Sequence, residues 1–200
     1  MKILITCFEP FGKDSANASQ QAVELLPDLI GINAIKKVLL PVSFNRCGKV
    51  IAEAIKDTAP DLVIMTGQAA RDSVCLERLA INWAISRIPD KDGVIATGEK
   101  IYPDAPDAIF TTFPVDIIAS SLVQQTGQSI KASNTAGTFV CNRLYFDVLH
   151  NSPTIPALFI HLPLTPARVA VRGTSTPSLP TDLAVTILQR IIHILPSYIP

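Results

Sequence analysis

Two hundred residues are enough for one well-buried domain and short for two. Apolar residues make up 48% and charged residues only 17%, which excludes a disordered chain and leaves room for an apolar surface buried between subunits. Seventeen basic residues balance seventeen acidic ones, so no net field draws in nucleic acid or an anionic membrane, and no Lys/Arg run supplies a local one.

The apolar start Met1 to Phe8 is too short for a signal peptide and is cut off by Glu9-Pro10, and no stretch is long and apolar enough to span a membrane. Cys7, Cys47, Cys75 and Cys141 are widely spaced, with no CxxC and no Cys/His cluster of zinc spacing. The expectation is a cytoplasmic protein with free thiols and no metal or cofactor.

In chain order, Ile3 to Phe8 has the length of a buried strand and ends in a Pro10/Gly12 turn. Asn17 or Ser19 caps a helix through Gln20 to Leu26, closed by Pro27. Ala34 to Val42 is a second strand. Val50, Ile51, Ala54 and Ile55 have amphipathic spacing for a helix over Cys47 to Thr58, and Asp61 to Thr66 is a third strand ending at Gly67. Val74 to Ile85 is strand-like, and Ser86 to Pro106 is a loop region rich in Pro, Asp and Gly. Helices are expected over Val115 to Gln125, Cys141 to Leu149 and Leu179 to Ile194, with strands at Ser129 to Ser133 and Pro156 to His161. Such alternation predicts a single α/β domain over 1–200, an α/β/α sandwich on a mostly parallel, twisted mixed sheet. Ligands of such sheets sit at the carboxyl ends of strands, where Phe8, Gln68 and His161 fall.

The chemistry centres on Ser133-Asn-Thr-Ala-Gly-Thr-Phe-Val-Cys141-Asn142, which sets a cysteine at the start of a helix. Unpaired N–H groups there favour a thiolate and could hold the oxyanion formed when it attacks a carbonyl. A thiol nucleophile needs a base. Of three histidines, His150 and His193 suit helix ends or the surface, and His161 ends the buried run Phe159-Ile-His-Leu-Pro163. A buried histidine is more often structural than catalytic. Glu77 offers a carboxylate inside an apolar run, although a strand would put Glu77 and Arg78 on opposite faces with at least one in solvent. Arg87 could assist an oxyanion or pair with Asp90 or Asp92. Phe8 and Phe11 either anchor their turn on the core or form a slot for a flat substrate group.

These blocks together resemble the pyroglutamyl peptidase I (pyrrolidone-carboxylate peptidase) family of cysteine peptidases over nearly the whole chain. The matching segments are Cys7 to Gly12 with Asn17, Met65 to Ala69, Glu77 to Asn82 with Arg87 to Asp90, Ser133 to Asn142, and Phe159 to Pro163. The resemblance implies a Cys141, His161 and Glu77 triad. It also implies Arg87 near the oxyanion, Phe8 and Phe11 sandwiching a lactam ring, and Asn17 and Gln68 lining or supporting that pocket. It further implies removal of N-terminal pyroglutamate from peptides by a metal-free, cytoplasmic, homo-oligomeric enzyme (dimer or tetramer). The chain departs from the family pattern in shorter 67–77 and 141–161 spacings, in Lys13 for a glycine, and in Ala18 for a proline. Those departures keep two other readings in view, a related thiol amidase and a silent small-molecule binding protein.

Overall fold

The computed structural model describes residues 1–12 and 14–199, so the departure at Lys13 lies outside the described residues. Strands β1 (Lys2–Phe8), β2 (Leu29–Ile30), β3 (Asn33–Leu40), β4 (Leu62–Gln68), β5 (Val74–Glu77), β10 (Ile130–Ser133) and β11 (Ala157–Leu162) form one seven-stranded sheet. Its order is β10-β5-β11-β4-β1-β3-β2. Pairing is parallel from β11 through β4, β1 and β3, and again between β10 and β5. It is antiparallel where β5 meets β11 and where β2 closes the edge on β3. The sheet is therefore mixed and mostly parallel, as expected.

Period-2 alternation divides the core into two. Ile3 and Ile5 of β1, Leu62 and Ile64 of β4, Val74 and Leu76 of β5, and Leu158 and Ile160 of β11 point to one face. Helices α1 (Ala18–Glu24), α3 (Val115–Thr126) and α6 (Thr181–Ile194) cover it with residues such as Val23, Ile118 and Leu188. Leu4, Val63, Met65 and Phe159 point to the other face, under α2 (Cys47–Thr58) and α4 (Val140–Asn151). Strands buried on both sides explain the near-continuous apolar runs in the sequence.

Two local expectations need correction. The run Val74 to Ile85 is not one strand but β5, β6 (Leu79–Ile81) and β7 (Ala84–Ile85). β5 ends at Glu77, and the Arg78 N–H makes the last bond to its neighbour β10, at the Ser133 carbonyl, at 2.7 Å. The Arg78 guanidinium forms two bonds to Asp116 at 2.7 and 2.8 Å. The region 86–106 is not only loop, because β8 (Thr97–Glu99) pairs with β7, and β9 (Ala108–Phe110) beyond it pairs with β6. Its first part is anchored by the buried Asp90, which accepts from the N–H groups of Phe44, Asp92 and Val94 at 2.8 to 2.9 Å. A short helix α5 (Pro166–Arg172), with proline in its first turn, follows β11 and was not among the expected elements.

Candidate active site

The same alternation that builds the core sets the polar groups. On the face under α4, Gly67 near the end of β4, His161 near the end of β11 and Glu77 at the end of the oppositely running β5 stand where apolar residues would otherwise continue. Glu77 lies opposite Phe159 in the antiparallel register and His161 opposite Cys75, so the two side chains are diagonal neighbours on one face. They meet: His161 Nδ1 and Glu77 Oε1 are 2.7 Å apart, with the residues 3% and 0% exposed. The strand reading that puts Glu77 and Arg78 on opposite sides is correct in form, and Glu77 is the inward one.

Cys141 enters from above on the first turn of α4. The N-cap residue, Phe139, makes no side-chain cap bond, and the first turn holds no acidic residue. Its leading N–H groups therefore keep no side-chain acceptor. The sulfur lies directly over Gly67, where a Cβ would stand 3.0 Å from Cys141 Sγ and 3.0 Å from Phe159 Cζ. Gly67 is in turn the register partner of His161 across β4 and β11. Asn142 fixes the helix to the sheet side, accepting from Ile81 N–H at 2.9 Å and donating to the Ile81 and Trp83 carbonyls at 2.8 and 3.2 Å. Cys141 is also the one cysteine of the four that is partly accessible.

The electrostatics of the unliganded site work against a resting thiolate. Burial pushes the Cys141 thiol up to about 12, the negative Glu77 adds to that, and Arg71 with the Cys141 N–H works against it. Burial also pulls His161 below 6.5, more than the bond and charge of Glu77 raise it. In the unliganded site the favoured pair is thus thiol and neutral imidazole. The helix N-terminus is present as the sequence implied, but desolvation of the charged form outweighs it.

Arg71 is a site residue that the sequence reading did not single out. From the turn between β4 and β5, its Nη1 lies 2.9 Å from Glu77 Oε1 and donates to Ser133 Oγ at 2.9 Å, while Nη2 donates to the Thr135 carbonyl at 3.2 Å. A lone arginine in a polar turn, Ala70-Arg71-Asp72-Ser73, gives no periodicity signal, and only the fold shows which carboxylate it meets.

Beside the sulfur is a cavity of about 180 Å³ lined by Phe8, Phe11, Asn17, Gln68, Phe139 and Cys141, with Val42, Val140 and Ile88 among its apolar walls. All four residues expected to form or support a substrate pocket are there. Phe11 leans on Phe139, with ring centroids 5.4 Å apart, and Phe139 meets Phe44 edge-on at 5.2 Å. Asn17 caps α1, accepting from Ser19 N–H at 3.0 Å, and donates to the Glu9 carbonyl at 3.2 Å. Gln68 accepts from Ala18 N–H at 2.8 Å and donates to Asp14 at 3.1 Å. A proline at 18 would have no N–H to give. Asp14 and Arg172 complete the lining. Burial works against the ionised Asp14, but hydrogen bonds from Arg172 and Arg168 of α5 hold it below the usual carboxylate range.

Arg87 does not line this cavity. It is exposed, and its neighbour Ile88 is the residue of this loop that lines it. Asp90, three residues on, anchors the loop to the Phe44 backbone. A second cleft of about 300 Å³ between α2 and α4, lined by Lys49, Tyr102, Arg143 and Asp147 among others, contains neither the thiol nor the imidazole. Among the described residues, no group of three His, Cys, Asp or Glu side chains could hold a metal ion. No described helix is long and apolar enough to cross a membrane.

An accessible thiol on an uncapped helix N-terminus, over a sheet bearing a buried imidazole–carboxylate pair, has the make-up of a cysteine-type hydrolase. A family profile described as pyroglutamyl peptidase matches residues 1–196. The pyrrolidone-carboxylate peptidase of Thermococcus onnurineus is 43% identical over 168 residues, covering 82% of this chain and 84% of that protein. The one from Finegoldia magna is 36% identical over 198 residues, covering 96% and 92%. The structure of the pyrrolidone carboxyl peptidase from Thermococcus litoralis superposes with a TM-score of 0.92 at 34% identity, over 98% of this chain and 94% of that one. The chain belongs to the pyroglutamyl peptidase family and is a cysteine-type peptidase. Hydrolysis of pyroglutamyl peptides is the activity that this family supports.

Proposed function

We propose that the whole chain works as one catalytic domain that removes N-terminal pyroglutamate from peptides, with Cys141 as nucleophile, His161 as base and acid, and Glu77 orienting the imidazole. The Nδ1 edge of His161 is occupied by Glu77, which leaves Nε2 to take the thiol proton. The sulfur bonds to the pyroglutamyl carbonyl carbon as that proton leaves, so burial of the resting pair delays charge separation until substrate is in place. The oxyanion is assigned to the open N–H groups of α4 rather than to Arg87, each well-placed donor contributing about 3 kcal/mol. The imidazolium then protonates the departing amine as the C–N bond breaks. Water, losing its proton to His161, splits the thioester to release pyroglutamate and restore the thiol.

Phe8 and Phe11 supply apolar walls for the lactam, with Asn17 and Gln68 fixing the backbone behind them. A free N-terminal ammonium would lose its water in such a slot without gaining a counterion, because Asp14 is already paired to two arginines. One observation carries the reading: Sγ of Cys141 lies against Gly67, the register partner of His161, beside the Phe8/Phe11 cavity. Wild type should release the fluorophore from pyroglutamyl-aminomethylcoumarin under reducing conditions, and Cys141→Ser should not. Silence of wild type would sink the substrate assignment, and a fully active Cys141→Ser would sink the nucleophile. With His161 held below 6.5, the acid limb of kcat/KM should lie below that pH, since activity needs the neutral imidazole.

Four unpaired cysteines suit a reducing, cytoplasmic compartment. Trp83, Ile85, Ile88 and Ile95 are exposed large apolar residues within one short stretch, which supports a homo-oligomer (dimer or tetramer) that light scattering would reveal.

A further inference from the structure

We propose that Arg71 is a positioning residue that supplies the compensating charge for the buried Glu77 carboxylate, and that without it the carboxylate could not serve the imidazole. The inference rests on the catalytic reading above and extends it to a residue outside the triad.

Glu77 is 0% exposed, and a carboxylate taken wholly out of water reverts to the neutral acid unless a charge compensates it. Its Oε2 has no hydrogen-bond partner among the described residues, so all of its polar contact is made through Oε1. Two groups share that one oxygen, His161 Nδ1 at 2.7 Å and Arg71 Nη1 at 2.9 Å. His161 is held toward its neutral form, so it does not supply the positive charge at rest. The other groups facing the carboxyl do not supply it either. Cys141 from α4 is a thiol, and the Tyr145 hydroxyl of α4 donates at 3.0 Å to the Glu77 carbonyl rather than to its carboxylate. Arg78, next in sequence, is turned away to Asp116. Arg71 is the permanent cation of the group, because a guanidinium does not deprotonate.

The side chain is also held in place for this task. Ser133 Oγ and the Thr135 carbonyl, both in the segment leading to α4, accept from the same guanidinium. Arg71 thereby ties the carboxylate strand β5 to the segment that delivers the nucleophile. A protonated Glu77 would lose the negative charge that favours the imidazolium formed during attack. The enzyme should then lose activity most where that protonation is largest, at low pH.

The experiment compares kcat/KM for pyroglutamyl-aminomethylcoumarin against pH in wild type, Arg71→Met, Arg71→Lys and Ser133→Ala, with circular dichroism to confirm folding. Removing the charge should move the acid limb of Arg71→Met up by about one to three pH units, so that its loss at pH 6 exceeds its loss at pH 8.5. Arg71→Lys, which keeps the charge, should return the limb toward wild type. Ser133→Ala removes one guanidinium bond but no charge and should leave the limb unmoved. A loss in Arg71→Met that is equal at all pH values, or a limb shift reproduced by Ser133→Ala, would overturn the proposal. If Arg71→Met does not fold, Arg71→Gln takes its place with the same criteria. The pH dependence of Cys141 alkylation by iodoacetamide reads the same limb without any peptide. A shift there with no turnover by wild type would retain the role of Arg71 while refuting the substrate, and an unmoved limb there would refute the role itself.

Discussion

The two faces of the central sheet are made by the same strands and differ in what their last residues are. Under α1, α3 and α6, the strands stay apolar along their length, with Ile3 and Ile5, Leu62 and Ile64, Leu158, Ile160 and Leu162 all buried. Under α2 and α4 they carry Leu4, Val63 and Phe159, but give way to Gly67 and His161, which are register partners, and to Glu77, which lies opposite Phe159. One face is a core throughout. The other is a core interrupted by a small residue, an imidazole and a carboxylate beneath a thiol. The candidate site is therefore built by exchanging a few residues on one side of an otherwise complete layer, and each burial on the dry face holds the strands whose other side carries it.

Substitutions that respect this division should separate catalysis from stability. The largest effect is expected from Glu77→Gln, which leaves Arg71 and His161 facing a neutral amide. Steady-state hydrolysis of the coumarin substrate should fall by about 10³-fold or more. A fall of less than tenfold would show that the carboxylate is structural. Gly67→Ala tests the close approach of the thiol. Its new Cβ would meet Cys141 Sγ and Phe159 Cζ at 3.0 Å, so the sulfur or the ring must give by a few tenths of an ångström, and kcat should fall by about tenfold. The same overpacking should destabilise the fold by about 1–3 kcal/mol in urea unfolding.

Leu158→Ala, on the dry face of β11 three residues from His161, reverses the pattern. Its cavity should cost about 2–5 kcal/mol of unfolding free energy while kcat of the folded enzyme stays within about twofold of wild type. A large drop in kcat would show that the two faces are coupled through the strand. The smallest change is expected from Ala18→Pro. It removes the N–H that Gln68 accepts at the first position of α1, where proline is tolerated, so stability should change by less than about 1 kcal/mol. KM for the coumarin substrate then reports whether the Gln68 side chain needs that bond, and a shift beyond about threefold would say that it does.

The relation between sequence and structure follows the range of the forces involved. Helices α2 and α4 and strands β1, β4 and β11 were legible because their apolar periodicity repeats within a few residues. Residues Asn17, Gln68, Phe8 and Phe11 were legible as a pocket through the family motifs, and they share one cavity. The end of β5 before Arg78 was not visible, since the Arg78 side chain is held by Asp116, 38 residues away. Arg87 shows the converse: its motif is local and clear, yet its placement depends on how Asp90 anchors the loop to Phe44, 46 residues earlier.

The sequence by itself determined the layers of the fold, the thiol at a helix start and the candidate base and acid, because periodicity and motif are properties of neighbouring residues. Only the tertiary structure decided that Glu77 is the buried member of its pair and that Arg71 stands on it. It also set the burial that works against a Cys141 thiolate, because burial and charge compensation depend on groups that meet only when distant segments fold together.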